Sequence, residues 1–219
     1  IVVLAAGALE SPGVLLRSSS DLWPDGLAND SGQVGRNLMR HFIDLYLFRP
    51  KNRSNLDNRH KEIAFNDFYQ TTEGKWGSVQ SFGRLPPPEV LFASLQHDIA
   101  NGPLPWLSAF VGFAKPVMIP ILNRLVTEHI ALASIIEDLP YADNRVFLAE
   151  EPGRLAISYR IRAPDLERIK VFRQRMRQTF GLGRLLMLKQ ADNNERIAHA
   201  CGTCRFGDDP RTSVLDSSC

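Results

Sequence analysis

Three runs of alternating apolar residues, separated only by short turns, limit the folds that this chain can adopt. The runs cover residues 130–137, 145–149 and 155–161, and Glu151-Pro152-Gly153 forms the second turn. A parallel pair of strands needs a long crossover, whereas antiparallel strands are joined by short turns. The sequence therefore predicts one antiparallel sheet that contains all three runs, within an α+β unit formed by residues 42–195.

Two further segments predict strands. Alternation over residues 42–48 predicts a strand with Ile43, Leu45 and Leu47 on one face, and residues 76–82 indicate another strand. The polar residues 50–62 predict a loop between them.

Two helices are indicated by the spacing of apolar residues. The first covers residues 89–100, and the second runs from about Pro164 to the glycines Gly181 and Gly183. The second helix has apolar residues at helical spacing along one face, namely Leu166, Ile169, Phe172, Met176 and Phe180. Its basic residues fit either a nucleic-acid face or, as we expect, a solvated outer face.

The beginning of the chain has the pattern of a strand, a turn and a helix. Residues 1–4 form a continuous apolar run of the kind found in parallel strands. Ser11 as the N-cap and Pro12 at the first helical position predict a helix that ends near residue 18. Residues 19–41 are rich in Ser, Asp, Asn and Gly and predict a long structured loop.

Composition excludes few classes of protein. The chain has 219 residues, of which 44% are hydrophobic, so it can form one or two domains. The 26 basic and 24 acidic residues nearly balance and give no reason to expect a nucleic-acid partner. Charges and prolines interrupt the apolar stretch 105–126 too often to predict a membrane span. No targeting signal is readable, so the localisation is unknown.

One histidine near the end of the chain is a candidate for acid–base chemistry. His199 precedes a turn of small residues, and the usual pKa of a histidine lies near neutral pH. Cys201 and Cys204 follow it and raise the alternative of a metal or redox site. A structural zinc site needs four ligands, and only Cys219 remains, so we expect no metal and a small buried Cys204.

Three runs resemble the glucose-methanol-choline (GMC) oxidoreductases. Residues 7–12, followed by Leu15-Leu16-Arg17-Ser18, resemble the second signature of that family, although residues 19–22 depart from it. Gly35-Arg36-Asn37-Leu38 with His41 is similar to Gly-x-Asn-Leu-x-Asp-His, where Arg40 replaces the Asp and removes any role of that acid. His199-x-x-Gly-Thr-Cys-Arg-x-Gly matches the run that carries the first active-site histidine. Asp138-Leu139-Pro140 and residues 143–146 resemble a run of the substrate domain.

The resemblance implies a fold, a cofactor and site residues. It implies FAD near Ala6, Gly7 and Ala8, and His199 as the base that faces the flavin and the carbinol group. Residues 1–20 would belong to an α/β FAD-binding domain, residues 21–195 to a substrate-binding domain with a mainly antiparallel sheet and helices, and residues 196–219 again to the FAD-binding domain.

The resemblance also predicts that the chain is a fragment. The Gly-x-Gly-x-x-Gly dinucleotide fingerprint does not occur in it and is expected upstream of residue 1. The second active-site residue, a His or Asn, is expected beyond residue 219. We therefore expect the 219 residues alone neither to hold FAD tightly nor to turn over.

The expected parent is an FAD-dependent oxidoreductase that acts on the CH–OH group of a small alcohol. Its electron acceptor, whether oxygen, a quinone or a cytochrome, is not readable from the sequence. Two alternatives stay open, because a fold can host several chemistries. One is a non-oxidative, lyase-type member of the same family, and the other is a non-catalytic fragment.

Overall fold

The computed structural model describes residues 2–50, 61–83, 85–181, 185–194 and 196–218. It confirms the α+β class. Its elements in chain order are α1 (Gly7–Arg17), β1 (His41–Phe48), β2 (Ala64–Phe65), β3 (Ser78–Ser81), α2 (Pro88–Ala100), α3 (Leu107–Phe113), α4 (Lys115–Glu128), β4 (Ile130–Glu137), β5 (Arg145–Leu148), β6 (Leu155–Ser158), α5 (Ala163–Phe180) and β7 (Leu185–Leu188). The predicted loop 50–62 lies mostly outside the described residues, and so does Gly183.

The described strands form two sheets, so the prediction of one sheet holding residues 130–137, 145–149 and 155–161 is wrong. The larger sheet has the order β2-β3-β4-β1-β7, and β5 pairs only with β6. Strand β3 pairs with β4 and β7 with β1, each in antiparallel register. Because β3 and β1 already flank β4, no edge of β4 is left for β5.

Strand β1 is confirmed, with Ile43, Leu45 and Leu47 on one face, and Leu47 is buried. Phe42, Asp44 and Tyr46 are buried, whereas Ile43 and Leu45 are only half-buried. The carboxylate of Asp44 can be buried because the Arg173 guanidinium donates to both of its oxygens, at 2.7 and 3.0 Å. A partner 129 residues away in sequence therefore compensates the buried charge of this strand.

Helix α5 is confirmed with most of its predicted apolar face. Ile169, Phe172 and Met176 are buried, while Leu166 is exposed. The expectation of a solvated basic face is wrong for the part that holds Arg173 and Arg175, because both guanidiniums are largely covered and form ion pairs within the protein. Arg175 pairs with Glu73 and lies over the ring of Trp76.

The first residues do not form the expected strand. Residues 2–4 have no regular secondary structure and are exposed, and no strand of the described residues pairs with them. An apolar run becomes a strand only where its backbone groups find a partner, so composition alone was insufficient here. Residues 18–40 contain no helix or strand beyond one bridge at Met39, which confirms the long loop.

Helices α3 and α4 occupy the apolar stretch in the middle of the chain and meet at an angle of 79°. Among the described helices, none is by itself long and apolar enough to cross a membrane; by length and composition only, this bent pair passes when its two helices are taken together.

The chain divides into two compact units. Unit 1 contains Ile1–Ile43, Ile136–Lys170 and Gln190–Cys219, and unit 2 contains Asp44–Ile135 and Val171–Lys189. In unit 2, an aromatic cluster joins β1 and α5 through Phe48 and Phe180, whose ring centroids are 5.3 Å apart. The residues of the predicted site all lie in unit 1.

Candidate active site

The structure brings together three runs that are far apart in sequence. The N–H of Gly35 donates to the carbonyl of Thr203 at 2.8 Å, and Met39 and Cys201 exchange two backbone hydrogen bonds of 2.9 and 3.0 Å. The N–H of His41 donates to the carbonyl of Ala198 at 3.0 Å. The loop before β1 thus lies alongside the segment that carries His199, and it fixes that segment by backbone pairing.

Gly202 is required for this pairing. Its backbone has a φ of +94°, and a Cβ at this position would lie 2.2 Å from the carbonyl oxygen of Asn37. No other residue can approach a neighbouring backbone so closely in this conformation. The glycine of the His199 run therefore permits the contact between two loops.

The start of helix α1 joins the same assembly through Thr203. The buried Thr203 hydroxyl donates to the carbonyl of Ala8 at 2.6 Å. The prediction that the helix begins after Ser11 is wrong, because α1 begins at Gly7 and contains Pro12 in its interior. A proline at this position has no N–H for the carbonyl four residues earlier, which is that of Ala8. Thr203 replaces the missing donor, so the early start of α1 depends on a distant residue.

Ala6, Gly7 and Ala8, the predicted cofactor-binding residues, form the N-terminus of α1. Ala6 and Gly7 are exposed, and no side chain caps the helix. The first N–H groups of a helix have no partner within it, so they are donors for a polar or anionic group. Gly7 has a φ of +73°, and the space where its Cβ would stand is open. The residues present fit the close approach of a cofactor.

His199 is exposed and has an unusual backbone conformation, with a φ of +55°. Non-glycine residues in the left-handed region are uncommon and are frequent at functional sites. Its Nδ1 lies 2.9 Å from Nδ1 of His41, and the two rings are nearly perpendicular at 87°. Within the described residues, Nε2 of His199 has no hydrogen-bond partner.

The contact between the two Nδ1 atoms fixes how the pair can share protons. At this distance one nitrogen must donate and the other accept, so the two imidazoles cannot both carry a proton on Nδ1. The pKa of His41 is lowered, first by burial and then by the charge of His199, while Glu137 acts in the opposite direction. His41 is therefore held neutral and suits the role of acceptor. If His199 donates through Nδ1, a lone pair remains on its Nε2.

His41 ends the run that begins at Gly35, and the sequence analysis assigned no role to it. Its place as the histidine that closes this run is the signal that could have identified it. The structure also gives a role to its neighbour Arg40, which replaces the usual acid. Arg40 is buried, and its guanidinium donates to the carbonyls of Ala191 at 2.8 Å, Asn193 at 2.6 Å, and Arg196. It lies between the rings of Phe42 and Tyr159, at 5.2 and 5.1 Å. Arg40 therefore fixes the backbone of residues 191–196, the segment that leads to His199.

Asp138 and Tyr159 complete the surroundings of Arg40. The Tyr159 hydroxyl donates to Asp138 at 2.5 Å, and the N–H of Arg40 donates to the same oxygen at 3.2 Å. Burial, more than any other effect, raises the pKa of the Asp138 carboxyl. Burial and the hydrogen bond to Asp138 raise the pKa of Tyr159. Nothing in the sequence around Tyr159 indicates this pairing.

The two cysteines near His199 are free thiols. Cys201 is exposed and Cys204 is half-buried, so the expected burial of Cys204 is only partial. Partial burial raises the pKa of both thiols. Within the described part of the chain, no three His, Cys, Asp or Glu side chains are grouped as metal ligands.

Comparison with known proteins finds similarity to oxidases and a dehydrogenase, and no family model matches the chain. Paromamine 6'-oxidase of Streptomyces fradiae is 28% identical over 98% of this chain and 37% of its own length. 2-Methyl-1,2-propanediol dehydrogenase of Mycolicibacterium austroafricanum is 25% identical over 99% of the chain and 40% of its own length. 6'''-Hydroxyparomomycin C oxidase of Streptomyces lividus is 29% identical over 99% of this chain and 37% of its own length. The chain thus spans about two fifths of the length of these relatives.

Proposed function

We propose that this chain is part of an FAD-dependent oxidoreductase of the GMC type, which acts on the CH–OH group of a small alcohol. One observation carries the proposal: the histidine of the GMC-like run lies next to a second histidine, in an assembly that also contains the predicted cofactor turn. The names of the relatives, two oxidases and a diol dehydrogenase, support an oxidoreductase that acts on alcohols.

In this proposal His199 accepts the hydroxyl proton of the substrate at Nε2. The left-handed backbone of His199 and the bonds between residues 35–41 and 198–203 hold its ring in place. Once protonated, His199 donates to Nδ1 of His41, and the neutral state of His41 makes that bond attractive rather than repulsive. His41 therefore stabilises the positive charge that develops as the alcohol loses its proton.

The N-terminus of α1, with Ala6, Gly7 and Ala8, is the proposed contact with the cofactor. When bound, FAD supplies the hydride acceptor for the oxidation of the carbinol carbon. The segments 1–20 and 196–219, which we assign to the FAD-binding domain, both belong to unit 1. The electron acceptor, oxygen, a quinone or a cytochrome, would act after the alcohol has been oxidised.

Anaerobic reduction of the flavin tests this function. The longer protein that contains this chain is mixed, without oxygen, with 2-methyl-1,2-propanediol or paromamine, and the flavin absorbance near its visible maximum is followed. We expect bleaching with at least one of a panel of such alcohols. A protein that binds FAD but is not reduced by any of them, while it cleaves one into two products, would be a lyase, and the proposal would be wrong.

A further inference from the structure

The outer side of helices α3 and α4 exposes large apolar side chains. We call these residues the α3–α4 apolar face: Trp106, Phe110, Phe113, Val117 and Ile121, which are 60%, 65%, 87%, 67% and 52% exposed. Phe110 and Phe113 of α3 are three residues apart, and Val117 and Ile121 of α4 are four apart, so each pair shares one side of its helix. Trp106 directly precedes α3, and its ring contacts that of Phe110 at 5.9 Å. Isolated exposed apolar residues are common, but a contiguous row of this kind indicates an interaction surface.

The C-terminal part of α4 is already packed against the core of unit 2. Leu125 and Val126 of α4 pack against the buried Leu47, Leu85 and Ala131. Phe92 of the neighbouring helix α2 is also buried. None of the five residues of the apolar face belongs to this core cluster, so covering the face is not needed to form the cluster.

The stretch of chain that carries this face has charges of one sign, although the neighbouring helix α2 carries the exposed acids Glu89 and Asp98. Residues 99–127 contain no Asp or Glu and two basic residues, Lys115 and Arg124, both exposed. Arg124 shares Glu128 with Arg49, at 2.7 Å each, so that group keeps a net positive charge. Lys115 follows the most exposed aromatic residue, Phe113, by two positions. It forms no ion pair with the residues that the structure describes.

We propose that the α3–α4 apolar face rests on an anionic lipid surface. Aromatic rings favour the boundary between headgroups and acyl chains, and a lysine beside them reaches lipid phosphates. The helices are too short for a span: α4 has 14 residues, and at about 1.5 Å per residue it covers roughly 21 Å, against about 30 Å of hydrocarbon. Helices that lie in the plane of the interface can place the aromatic rings at the acyl-chain boundary and the positive charges near the lipid phosphates.

Vesicle flotation with the 219-residue chain tests the proposal, which does not depend on the proposed enzymatic function. Two vesicle types are used, phosphatidylcholine alone and phosphatidylcholine with about a third phosphatidylglycerol. We expect the chain to float with the anionic vesicles. The double variant Phe110→Ser/Phe113→Ser is expected to lower the partition coefficient by about thirtyfold. Lys115→Glu is expected to lower it about tenfold on the anionic vesicles only.

A matched control removes two other exposed apolar side chains. The double variant Leu22→Ser/Phe206→Ser changes residues of unit 1 that are 85% and 68% exposed, and it is expected to float like the wild type. Circular dichroism of all variants shows whether the fold is retained. Equal loss in both double variants would mean that the binding is not specific to this face.

Three further outcomes would overturn the proposal. If the wild-type chain does not float with either vesicle, the face does not bind lipid. If sedimentation shows a dimer that Phe110→Ser/Phe113→Ser dissociates, the face is covered by a second copy. The longer protein is tested in the same way, and its failure to float where the 219 residues do would show that another part of that protein covers the face.

Discussion

The Nδ1 atoms of His41 and His199 lie 2.9 Å apart, at hydrogen-bond distance, although the residues are 158 positions apart in sequence. The distance requires one donor and one acceptor, and the lowered pKa of His41 favours its neutral form, in which Nδ1 can accept. This relationship links the loop before β1 to the proposed base. It also leads to predictions that the 219-residue chain itself can test.

The pKa of His41 should rise when its partner is removed. Two effects lower this pKa, burial first and the charge of His199 second. His199→Ala removes only the second, so we expect a higher pKa that still lies below that of a free histidine. NMR titration of the His41 ring protons measures it. His97→Ala, an exposed histidine of α2, serves as the control and should leave the titration of His41 unchanged. An unchanged pKa in His199→Ala would show that the two rings do not interact.

The stability of the chain should depend on the protonation of His41. Because its pKa is lower in the folded than in the unfolded chain, the folded state binds fewer protons between the lowered value and about 6.5. Stability is therefore lost as the pH falls through that window. The raised pKa of Asp138 makes the stability change with pH in the opposite direction. This effect is present in both the wild type and His41→Gln, so it cancels when the two are compared. Urea unfolding at pH 5 and 7 should show a smaller pH dependence for His41→Gln. An equal dependence in both chains would contradict the assignment.

Substitutions of Arg40 should lower the stability of the fold. Arg40→Lys keeps the charge but cannot reach three carbonyls in a plane, and we expect it to lower the free energy of unfolding by roughly 2–4 kcal/mol. Arg40→Asp, which restores the residue usual in the GMC-like run, faces a carboxylate toward carbonyl oxygens and should cost more. Urea unfolding measures both. Arg36→Lys, whose guanidinium donates to Gly32 and Ala142 near the surface, should change stability by less than about 0.5 kcal/mol. A stable Arg40→Asp would show that the carbonyls of residues 191–196 do not depend on Arg40.

Thr203 should stabilise the start of α1 through its hydroxyl. Thr203→Val keeps the shape and leaves the carbonyl of Ala8 without a donor, so we expect a loss of about 1–3 kcal/mol. Thr127→Val on α4 removes an exposed hydroxyl bonded to Asn123 and should cost less than about 0.5 kcal/mol. Thermal unfolding of the two variants compares them directly, and equal melting temperatures would count against this role of Thr203.

The sequence predicted those elements whose cause is local. Helices α2 and α5 and the strand β1 follow from spacing that neighbouring residues determine. The ion pair between Asp44 and Arg173 was not predicted because the two residues are 129 positions apart, and the start of α1 was missed because it depends on Thr203. The pairing of β5 was missed because the edges of β4 are occupied by strands distant in sequence.

The candidate site was predictable only in part, for the same reason. The motif at His199 is a local run, whereas its hydrogen-bond partner lies before β1. The network of Arg40, Asp138 and Tyr159 joins three segments, and none of these side chains identifies its partners by spacing. Residue patterns gave the candidate base, and tertiary structure gave the groups that orient it.

The most direct test of the central claim is the reductive half-reaction of His199→Ala in the longer protein that contains this chain. As a base in the chemical step, His199 should raise the rate of flavin reduction by an alcohol on the order of 10²–10⁴-fold. In His199→Ala, kcat and kcat/KM should therefore fall together by that factor. Flavin content and melting temperature should stay at wild-type values, as they should in the control His97→Ala. Flavin reduction within a few-fold of wild type, or loss of FAD with early melting, would contradict the role of His199 as the catalytic base.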